Sequence, residues 1–369
     1  TTMVRSGTRR DETIELPAEA EAFRAEAAQY KQHLLSQPQE QQRAELVAQG
    51  YLVPHWPRPW GRGAGAVEQL VIDEVLAEVE RPDLGIGGWV TLTITQHGTE
   101  DQRRRWVLPS LQGELVFCQM FSEPNAGSDA AAIRTKGTRV AGGWLVNGQK
   151  VWTSRADDAN RGFATVRTDP DAPKHQGLTM MVIDLEHPGV DIRPLRQITG
   201  ESHFSEVFFT DVFVPDDDVV GPLGSGAVAR STFGNERVSL GGGPAYFVTA
   251  VELAATGVGE GRYDRELGEL IAHSQALRAL QLRLITRAVS GSEPGPEGNV
   301  TKLVSGELAQ QTTDLALRMA GAAGVAGLGN AAHEYLSSRG LTIAGGTSEI
   351  VRSQIGERIL GLPREPMLK

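Results

Sequence analysis

The spacing of hydrophobic positions divides the chain into three parts. Over residues 16–112 apolar side chains recur every three or four positions, which is typical of amphipathic helices. Over residues 114–226 the period changes to two, which predicts strands, and from residue 227 the helical period returns. The clearest strands are expected at 143–148, 178–185 and 206–215. This order predicts an α+β protein in which a sheet is inserted between helical layers.

Turn-forming residues mark the boundaries between these parts. Closely spaced prolines at residues 54–61 cannot continue a helix, because proline lacks a backbone donor and fixes φ. Residues 290–298 predict a Pro- and Gly-rich loop between two long helices, and the glycines at 324–329 follow no strand, so they indicate a helix junction rather than a nucleotide-binding loop. The predicted domains are an N-terminal helical domain over 1–113, with residues 1–12 disordered, a central β-domain over 114–226 and a C-terminal helical domain over 227–369.

Composition narrows the possible functions. The chain has 369 residues, of which 40% are hydrophobic, so a large buried core is expected. A formal net charge of -10 and the lack of a long basic run disfavour nucleic-acid binding. Cys118 is the single cysteine, which excludes an intrachain disulfide and fits a cytoplasmic location. His97 has no second ligand at the spacing that a metal site requires, so no metal site is expected. No apolar run approaches the roughly 20 residues that cross a bilayer, so no membrane span is expected.

Two segments of the predicted β-domain suit a planar cofactor that carries phosphates. Residues 121–129 read Phe-Ser-Glu-Pro-Asn-Ala-Gly-Ser-Asp, and residues 148–154 read Gly-Gln-Lys-Val-Trp-Thr-Ser, a strand that ends in an indole and two hydroxyls. Because glycine has no Cβ, Gly127 lets the backbone approach a phosphate closely. Taken alone, Trp152 is more often a packing residue of a hairpin, and Ser128 fits a turn or helix cap. Together the two segments favour a flavin.

Five motifs occur along the chain in a fixed order and spacing. They lie at residues 96–102, 121–129, 148–154, 204–215 and 343–350. In this order they resemble the motifs of the acyl-CoA dehydrogenase family, and most closely its actinobacterial branch, which acts on short, branched or steroid-derived acyl thioesters. The resemblance implies an N-terminal helical domain, a central β-barrel or sandwich domain and a C-terminal four-helix bundle, with tightly bound FAD.

The resemblance also implies an activity and partners. The activity is the α,β-dehydrogenation of an acyl-CoA or acyl-carrier thioester in lipid metabolism, with flavin N5 as the hydride acceptor. An electron-transfer flavoprotein is the expected electron acceptor, and the expected assembly is a homodimer, a homotetramer or a heterotetramer. The chemistry itself needs a carboxylate near the α-proton, donors that polarise the carbonyl and a hydride acceptor facing the β-carbon.

By the same resemblance, individual residues are assigned to the site. The expected flavin contacts are Phe121, Ser122, Gly127, Ser128, Trp152, Ser154, Arg318, Gly321, Thr347 and Glu349. Among them the Trp152 indole flanks the isoalloxazine ring, the Ser154 hydroxyl reaches N5, and Arg318 lies near the flavin of a neighbouring subunit. Ser128 and Arg237 are expected to contact the substrate.

The catalytic base is displaced from its commonest place in the family. Many members carry a glutamate immediately before the Gly-Thr of the C-terminal motif, where this chain has Gly345. The isovaleryl-CoA dehydrogenase-like branch also has glycine there and takes its base from a Glu-Arg pair on a helix after the β-domain, which Glu236 and Arg237 match. The Gly345 N–H can still donate to the thioester oxygen. Without the motif around it, a Glu-Arg pair on a helix is more often a solvated face.

Two departures from the family pattern leave alternatives open. The Arg-x-Thr-Phe-Gly segment that binds the partner's FAD is absent from residues 257–266, and Gly234 stands where relatives often carry an aspartate near the pantetheine. One alternative function is a flavin monooxygenase on the same fold, against which the retention of Glu236 argues. The other is a structural partner subunit of a heteromeric dehydrogenase, in which another chain completes the flavin sites.

Overall fold

Along the chain, helices precede and follow the strands of a mixed sheet, as the hydrophobic periods predict. The computed structural model of the protein describes residues 2–5, 13–173, 176–240, 247–259, 261–289 and 298–364. Residues 1 and 6–12 of the tail predicted to be disordered lie outside the described residues, whereas β1 (Thr2–Arg5) pairs with β2 (Thr13–Leu16). In the described part of the chain, no helix is long and apolar enough to cross a membrane.

Five helices form the N-terminal layer. They are α1 (Ala20–Leu35), α2 (Gln39–Ala48), α3 (Ala66–Val75), α4 (Gly85–His97) and α5 (Glu100–Gln112). Helix α5 begins at a capping box, in which the Thr99 side chain accepts from Gln102 N and the Gln102 side chain accepts from Thr99 N. The predicted break at residues 54–61 is confirmed as a loop between α2 and α3.

The central strands form one eight-stranded sheet. They are β3 (Phe117–Met120), β4 (Lys136–Val140), β5 (Gly143–Ser154), β6 (Arg161–Arg167), β7 (Leu178–Asp184), β8 (Val190–Leu195), β9 (Phe204–Pro215) and β10 (Val219–Val220). The order is β10-β7-β6-β4-β5-β9-β8, and β3 adds to β6 in parallel. The three strands expected at 143–148, 178–185 and 206–215 are confirmed as β5, β7 and β9.

Strand β3 is buried on both faces and joins two hydrophobic cores. Side chains alternate along a strand, so Phe117 and Phe121 face one way while Cys118 and Met120 face the other. The first pair belongs to the helical-side core, which is shared with α2, α4, β6 and β7. The second pair belongs to the sheet core between the strands. Burial raises the pKa of the Cys118 thiol to about 12, so this cysteine is a packing residue.

Six further helices follow the sheet in the described part of the chain. They are α6 (Ala227–Leu240), α7 (Ala250–Ala255), α8 (Asp264–Val289), α9 (Gly298–Val325), α10 (Ala331–Ser338) and α11 (Ser348–Arg358). Helix α9 contacts α6, α8, α10 and α11. The glycines at 324–329 join α9 to α10, which confirms the predicted helix junction. Most of the predicted loop at 290–298 lies outside the described residues.

A buried ion pair ties β5 to the loop that follows β3. Lys150, fully buried, donates to Glu123 Oε1 (2.9 Å) and to the carbonyls of Phe121 (3.3 Å) and Thr165 (2.7 Å). Glu123 also accepts from the backbone N–H groups of Arg134 and Thr135 at 2.7 and 2.9 Å. Burial opposes ionisation of Glu123, but Lys150 and these donors outweigh it and lower the pKa of the carboxyl. Burial lowers the pKa of Lys150 to about 8, and Glu123 limits that fall.

Replacing Lys150 by methionine should destabilise the fold strongly at neutral pH. Removing one partner of a buried ion pair leaves an uncompensated charge, which costs about 3–5 kcal/mol. The depressed pKa of Glu123 stabilises the wild-type fold above the ordinary carboxyl pKa, and this stabilisation is lost as pH falls through the depressed value. The free energy of unfolding in urea should therefore be lower for Lys150→Met than for wild type. This gap should be largest near neutral pH and should narrow in acid.

The matched control is Lys136→Met, because Lys136 is an exposed lysine on β4. Its free energy of unfolding should change by less than about 0.5 kcal/mol. A Lys150→Met gap that stays constant down to the acid limit of folding would show that the lost stability comes from packing, not from the unpaired Glu123.

Candidate active site

The loop after β3 is held in one shape by backbone hydrogen bonds. Glu123 and Ala126 exchange two N–H to carbonyl bonds of 3.0 Å each, and Val151 N of β5 donates to Ser122 O (2.9 Å). Gly127 is exposed, and no heavy atom of the described chain lies within 4 Å of the place where its Cβ would stand. Its backbone is therefore open to a ligand.

Trp152 sits at an irregularity in the pairing of β5 with β9. The register shifts between Lys150 and Thr153, and Trp152 adopts a φ of 57°, in the left-handed region. Bulges next to functional sites often redirect a side chain, and a bulky residue at positive φ costs about 1–3 kcal/mol that the surrounding pairing must offset. The indole is 60% exposed and meets Phe204 edge to face, at 5.9 Å between centroids and 83° between planes. An apolar ring is thus held out from the sheet.

The groups on this surface fit a flavin nucleotide. Within the described residues, the hydroxyls of Ser122, Ser128 and Ser154 make no hydrogen bond in the chain. Three such hydroxyls, an exposed indole and an open glycine backbone are the donors and the flat surface that a planar ring with a pyrophosphate requires. The arrangement differs from a packed hairpin tryptophan, which would be buried.

Helix α6 places Glu236 next to this loop. Positions three and four apart share a face of a helix, and Ala229, Thr232 and Phe233 all lie on the face packed toward the helical-side core. Phe233 meets Phe121 edge to face, at 5.0 Å between centroids and 79° between planes. Glu236 follows three residues after Phe233 on this face and is only partly exposed, with its carboxylate hydrogen-bonded to β3.

The partner of Glu236 on β3 is Gln119, which the sequence analysis did not single out. Gln119 Nε2 donates to Glu236 Oε2 at 3.1 Å, and Trp89 Nε1 of α4 donates to Gln119 Oε1 at 2.6 Å. The available signal was a polar residue inside an otherwise apolar strand, Phe-Cys-Gln-Met. That signal alone does not say which face of the strand is buried against helices.

Helix α4 also anchors α6 through polar side chains beside Glu236. Asn235 Nδ2 donates to Thr93 Oγ1 and to Gln96 Oε1, both at 3.0 Å, and Ser231 donates to Gln96 at 2.9 Å. Gly234 is exposed, with no described heavy atom within 4 Å of a Cβ placed on it. The side chain of Arg237, predicted to contact the substrate, lies outside the described residues.

The C-terminal motif forms a turn at the start of α11. Gly345 and Gly346 have φ of 66° and 102°, values that suit glycine, and Lys302 of α9 donates to Gly346 O. Among the described residues no acceptor is bonded to the Gly345 N–H. The Thr347 side chain caps the helix by accepting from Ile350 N at 3.4 Å. Hydrogen bonds from its own N–H and from Thr347 lower the pKa of Glu349.

Arg318 on α9 is ion-paired within the chain. It donates to Asp314 Oδ2 at 3.0 Å and to both carboxylate oxygens of Glu266 on α8. The bonds to Glu266 and then to Asp314 raise the pKa of Arg318 further. A flavin phosphate of a neighbouring subunit would compete with two carboxylates for this guanidinium, so the assigned contact stays a prediction. Gly321 interrupts α9 with φ 58° and ψ −139°, a conformation accessible essentially to glycine.

The predicted site residues thus fall into two described groups. One group joins the loop after β3, the end of β5 and α6, and comprises Phe121, Ser122, Gly127, Ser128, Trp152, Ser154 and Glu236. The other lies along α9 and the start of α11, and comprises Arg318, Gly321, Gly345, Thr347 and Glu349.

Comparison with known proteins identifies the family. The chain matches the acyl-CoA dehydrogenase N-terminal domain at residues 11–114, the middle domain at 118–212 and the C-terminal domain at 224–360. The chain belongs to the acyl-CoA dehydrogenase family. Both the resemblance and the α+β fold predicted from the sequence are confirmed.

Two mycobacterial acyl-CoA dehydrogenases are similar in sequence. FadE34 of Mycobacterium tuberculosis is 44% identical over 99% of this chain, and the chain spans about half of that relative (52%). IpdE1 of Mycolicibacterium smegmatis is 36% identical over 94% of this chain and 91% of the relative.

Two solved structures share the fold. The Tcur3481-Tcur3483 steroid ACAD is 25% identical with a TM-score of 0.75, over 95% of this chain and 99% of that chain. The ChsE4-ChsE5 complex from Mycobacterium tuberculosis is 25% identical with a TM-score of 0.73, over 95% of this chain and 100% of that chain.

Removing the Trp152 indole should scarcely change the stability of the flavin-free chain. The ring is 60% exposed, and asparagine tolerates positive φ, so Trp152→Asn should change the free energy of unfolding by less than about 1 kcal/mol. Trp144, only 6% exposed in the sheet core, is the matched control, and Trp144→Asn should cost at least about 3 kcal/mol. Equal losses of unfolding free energy in the two variants, measured in urea, would favour a packing role for Trp152.

Proposed function

We propose that the chain catalyses the FAD-dependent α,β-dehydrogenation of an acyl-CoA thioester, with Glu236 as the base that takes the α-proton. The observation that carries the proposal is the position of Glu236. Helix α6 sets it beside Gln119, two residues before the loop that begins at Phe121, and the Phe121–Phe233 contact fixes the helix there. A base used for α-proton abstraction must lie next to the site of the hydride acceptor.

The first group of site residues would hold FAD. Phe121, Ser122, Trp152 and Ser154 would face the flavin ring, and Gly127 with Ser128 would approach the pyrophosphate. The exposed indole and the three hydroxyls without partners in the described chain support this assignment. When bound, FAD supplies the acceptor for the β-hydride.

The chain's own groups manage the proton and the developing charge. Glu236 removes the α-proton, which leaves negative charge on the thioester oxygen, so an N–H donor at that oxygen lowers the barrier. The Gly345 N–H is the proposed donor, since no acceptor among the described residues occupies it. The Phe121 and Phe233 rings pack together one helical turn before Glu236, and a bound ligand that excluded water there would strengthen both interactions.

A cationic cavity supports CoA as the thiol component. A cavity of 530 Å³ begins three residues after Ser128, and its charged lining side chains are Arg134, Lys136 and Arg167. The three guanidinium nitrogens of Arg167 donate to backbone carbonyls at 2.7–3.0 Å, whereas the side chains of Arg134 and Lys136 are exposed. Two exposed cations beside a third positive charge suit the phosphates of the CoA nucleotide, which a carrier-protein thioester lacks.

The proposed acyl group is bulky and of the steroid-derived class. The support is the name of one structural neighbour, the Tcur3481-Tcur3483 steroid ACAD. Comparing kcat/KM for a steroid-derived and a straight-chain acyl-CoA distinguishes the two classes.

A second, homologous chain is the proposed partner. Two structural neighbours are named as pairs of different chains, and this chain spans about half of FadE34. A homodimer or homotetramer is the alternative.

Electrons are proposed to pass to an electron-transfer flavoprotein. The single buried Cys118 fits the proposed cytoplasmic location. The monooxygenase and non-catalytic partner alternatives are not favoured, because the relatives are acyl-CoA dehydrogenases.

Glu236→Gln should strongly slow reduction of the flavin without removing the flavin from the protein. A positioned general base contributes about 10²–10⁴-fold, so anaerobic bleaching of flavin absorbance by acyl-CoA should slow by at least about 100-fold. The control is Glu114→Gln, an exposed glutamate before β3, which should bleach at the wild-type rate. Both variants should retain equal flavin. Bleaching of Glu236→Gln at the wild-type rate removes Glu236 as the base.

A further inference from the structure

Gln119 is a polar side chain on an apolar strand face. Side chains alternate along β3, so Gln119 lies between Phe117 and Phe121 on the face that packs against the helical-side core. Those two rings are 3% and 5% exposed, and Gln119 itself is only partly exposed. Placing an amide there costs free energy unless both of its ends are hydrogen-bonded.

The orientation of the Gln119 amide is determined by Trp89. An indole N–H donates and never accepts, so the atom of Gln119 that lies 2.6 Å from Trp89 Nε1 must be the carbonyl oxygen. The amide nitrogen therefore faces Glu236, where it lies 3.1 Å from Oε2. Trp89 removes the usual ambiguity between the two ends of a glutamine.

A circuit of hydrogen bonds closes around these residues. Asn235, the neighbour of Glu236 on α6, donates to Thr93 Oγ1 at 3.0 Å, and Thr93 Oγ1 donates to the carbonyl of Trp89 at 2.8 Å. The circuit thus runs from Trp89 through β3 to α6 and back to α4. Because each of the three elements is fixed by the other two, the carboxylate of Glu236 is held relative to β3.

We propose that Gln119 is a positioning residue that holds the carboxylate of Glu236 for proton transfer, and that Trp89 acts through Gln119 by setting its amide orientation. The bonds stand on geometry alone, whereas their catalytic consequence rests on the proposed function. Proton transfer requires the reacting groups to be held within about 0.5 Å and 10–20° of their productive arrangement. Gln119 is proposed to act through the base rather than on the substrate, so its loss should act on kcat rather than on KM.

The first test needs no activity. Protein labelled with ¹⁵N only in tryptophan gives one indole N–H resonance for each of its 6 tryptophans, and Trp89→Phe assigns the Trp89 signal. Glu236→Gln neutralises the carboxylate and should shift the Trp89 signal through the polarised Gln119 amide, while the Trp60 signal, assigned by Trp60→Phe, stays in place. With Gln119 replaced by methionine, the same Glu236→Gln change should shift Trp89 by less than half as much.

The second test uses kinetics with an α-deuterated acyl-CoA. Gln119→Met removes one hydrogen bond to a charged group and should lower kcat about tenfold, with KM unchanged and a larger deuterium isotope effect on kcat. Trp89→Phe should act in the same direction, and the double variant should be no slower than Gln119→Met alone. The controls are Gln69→Met, whose amide donates to Asp73 on α3, and Trp60→Phe, both with wild-type kcat and isotope effect.

The outcomes separate this inference from the proposed function. A Trp89 signal that responds to Glu236→Gln only when Gln119 is present supports the positioning contact, even if the wild-type protein dehydrogenates no acyl-CoA. A wild-type protein that is active, together with an unresponsive Trp89 signal and a wild-type isotope effect in Gln119→Met, would overturn it. Additive losses in the double variant would overturn the claim that Trp89 acts through Gln119.

Discussion

The candidate site depends on one constraint, the burial of β3 on both of its faces. A four-residue strand with two buried faces must satisfy two cores at once, so it cannot slip by one residue without turning Cys118 and Met120 into the helices. This register fixes the side on which Gln119 lies and the residue at which the loop after the strand begins. The loop, α6 and β5 then pack against a strand whose position is already determined.

The two charged side chains buried in this region are paired with each other and hydrogen-bonded to the backbone. Lys150 and Glu123 lie within a largely apolar sheet, and the two charges are offset by each other, by two backbone N–H groups and by two carbonyls. Such a pair adds little net stability but penalises any arrangement that breaks it. Because the ion pair joins β5 to the loop after β3, it specifies how the strand that carries Trp152 packs against that loop. The backbone strain of the positive φ at Trp152 is offset by the fixed position of β5.

Most of the fold could be predicted from the sequence, because the order of helices and strands follows from the period of the hydrophobic positions. The change from a helical to an alternating pattern near residue 114 follows from which faces are buried, and β5, β7 and β9 lie where that pattern predicts. The assignment of Glu236 needed the family resemblance, since an isolated Glu-Arg pair is more often solvated. In structural terms it is supported by the position of Glu236 on α6, three residues after Phe233, and by the hydrogen bond from Gln119.

Other features depend on contacts between distant segments and leave no local signal. The positive φ of Trp152 arises from the register of β5 against β9, about fifty residues away along the chain. The ion pairs of Arg318 depend on the packing of α9 against α8, which brings Glu266 to it. Gln119 could not be assigned because its role requires knowing that α4 and α6 cover the same face of β3.

The role of Glu236 is tested most directly by proton exchange at the α-carbon of an unreactive substrate analogue. An acyl-CoA with sulfur in place of the β-carbon has no β-hydride to lose, so exchange of its α-protons in D₂O isolates proton abstraction. The wild-type protein should catalyse this exchange, and Glu236→Gln should slow it by at least about 100-fold, as measured by mass spectrometry. Exchange at equal rates in the two proteins would contradict the assignment of Glu236 as the base.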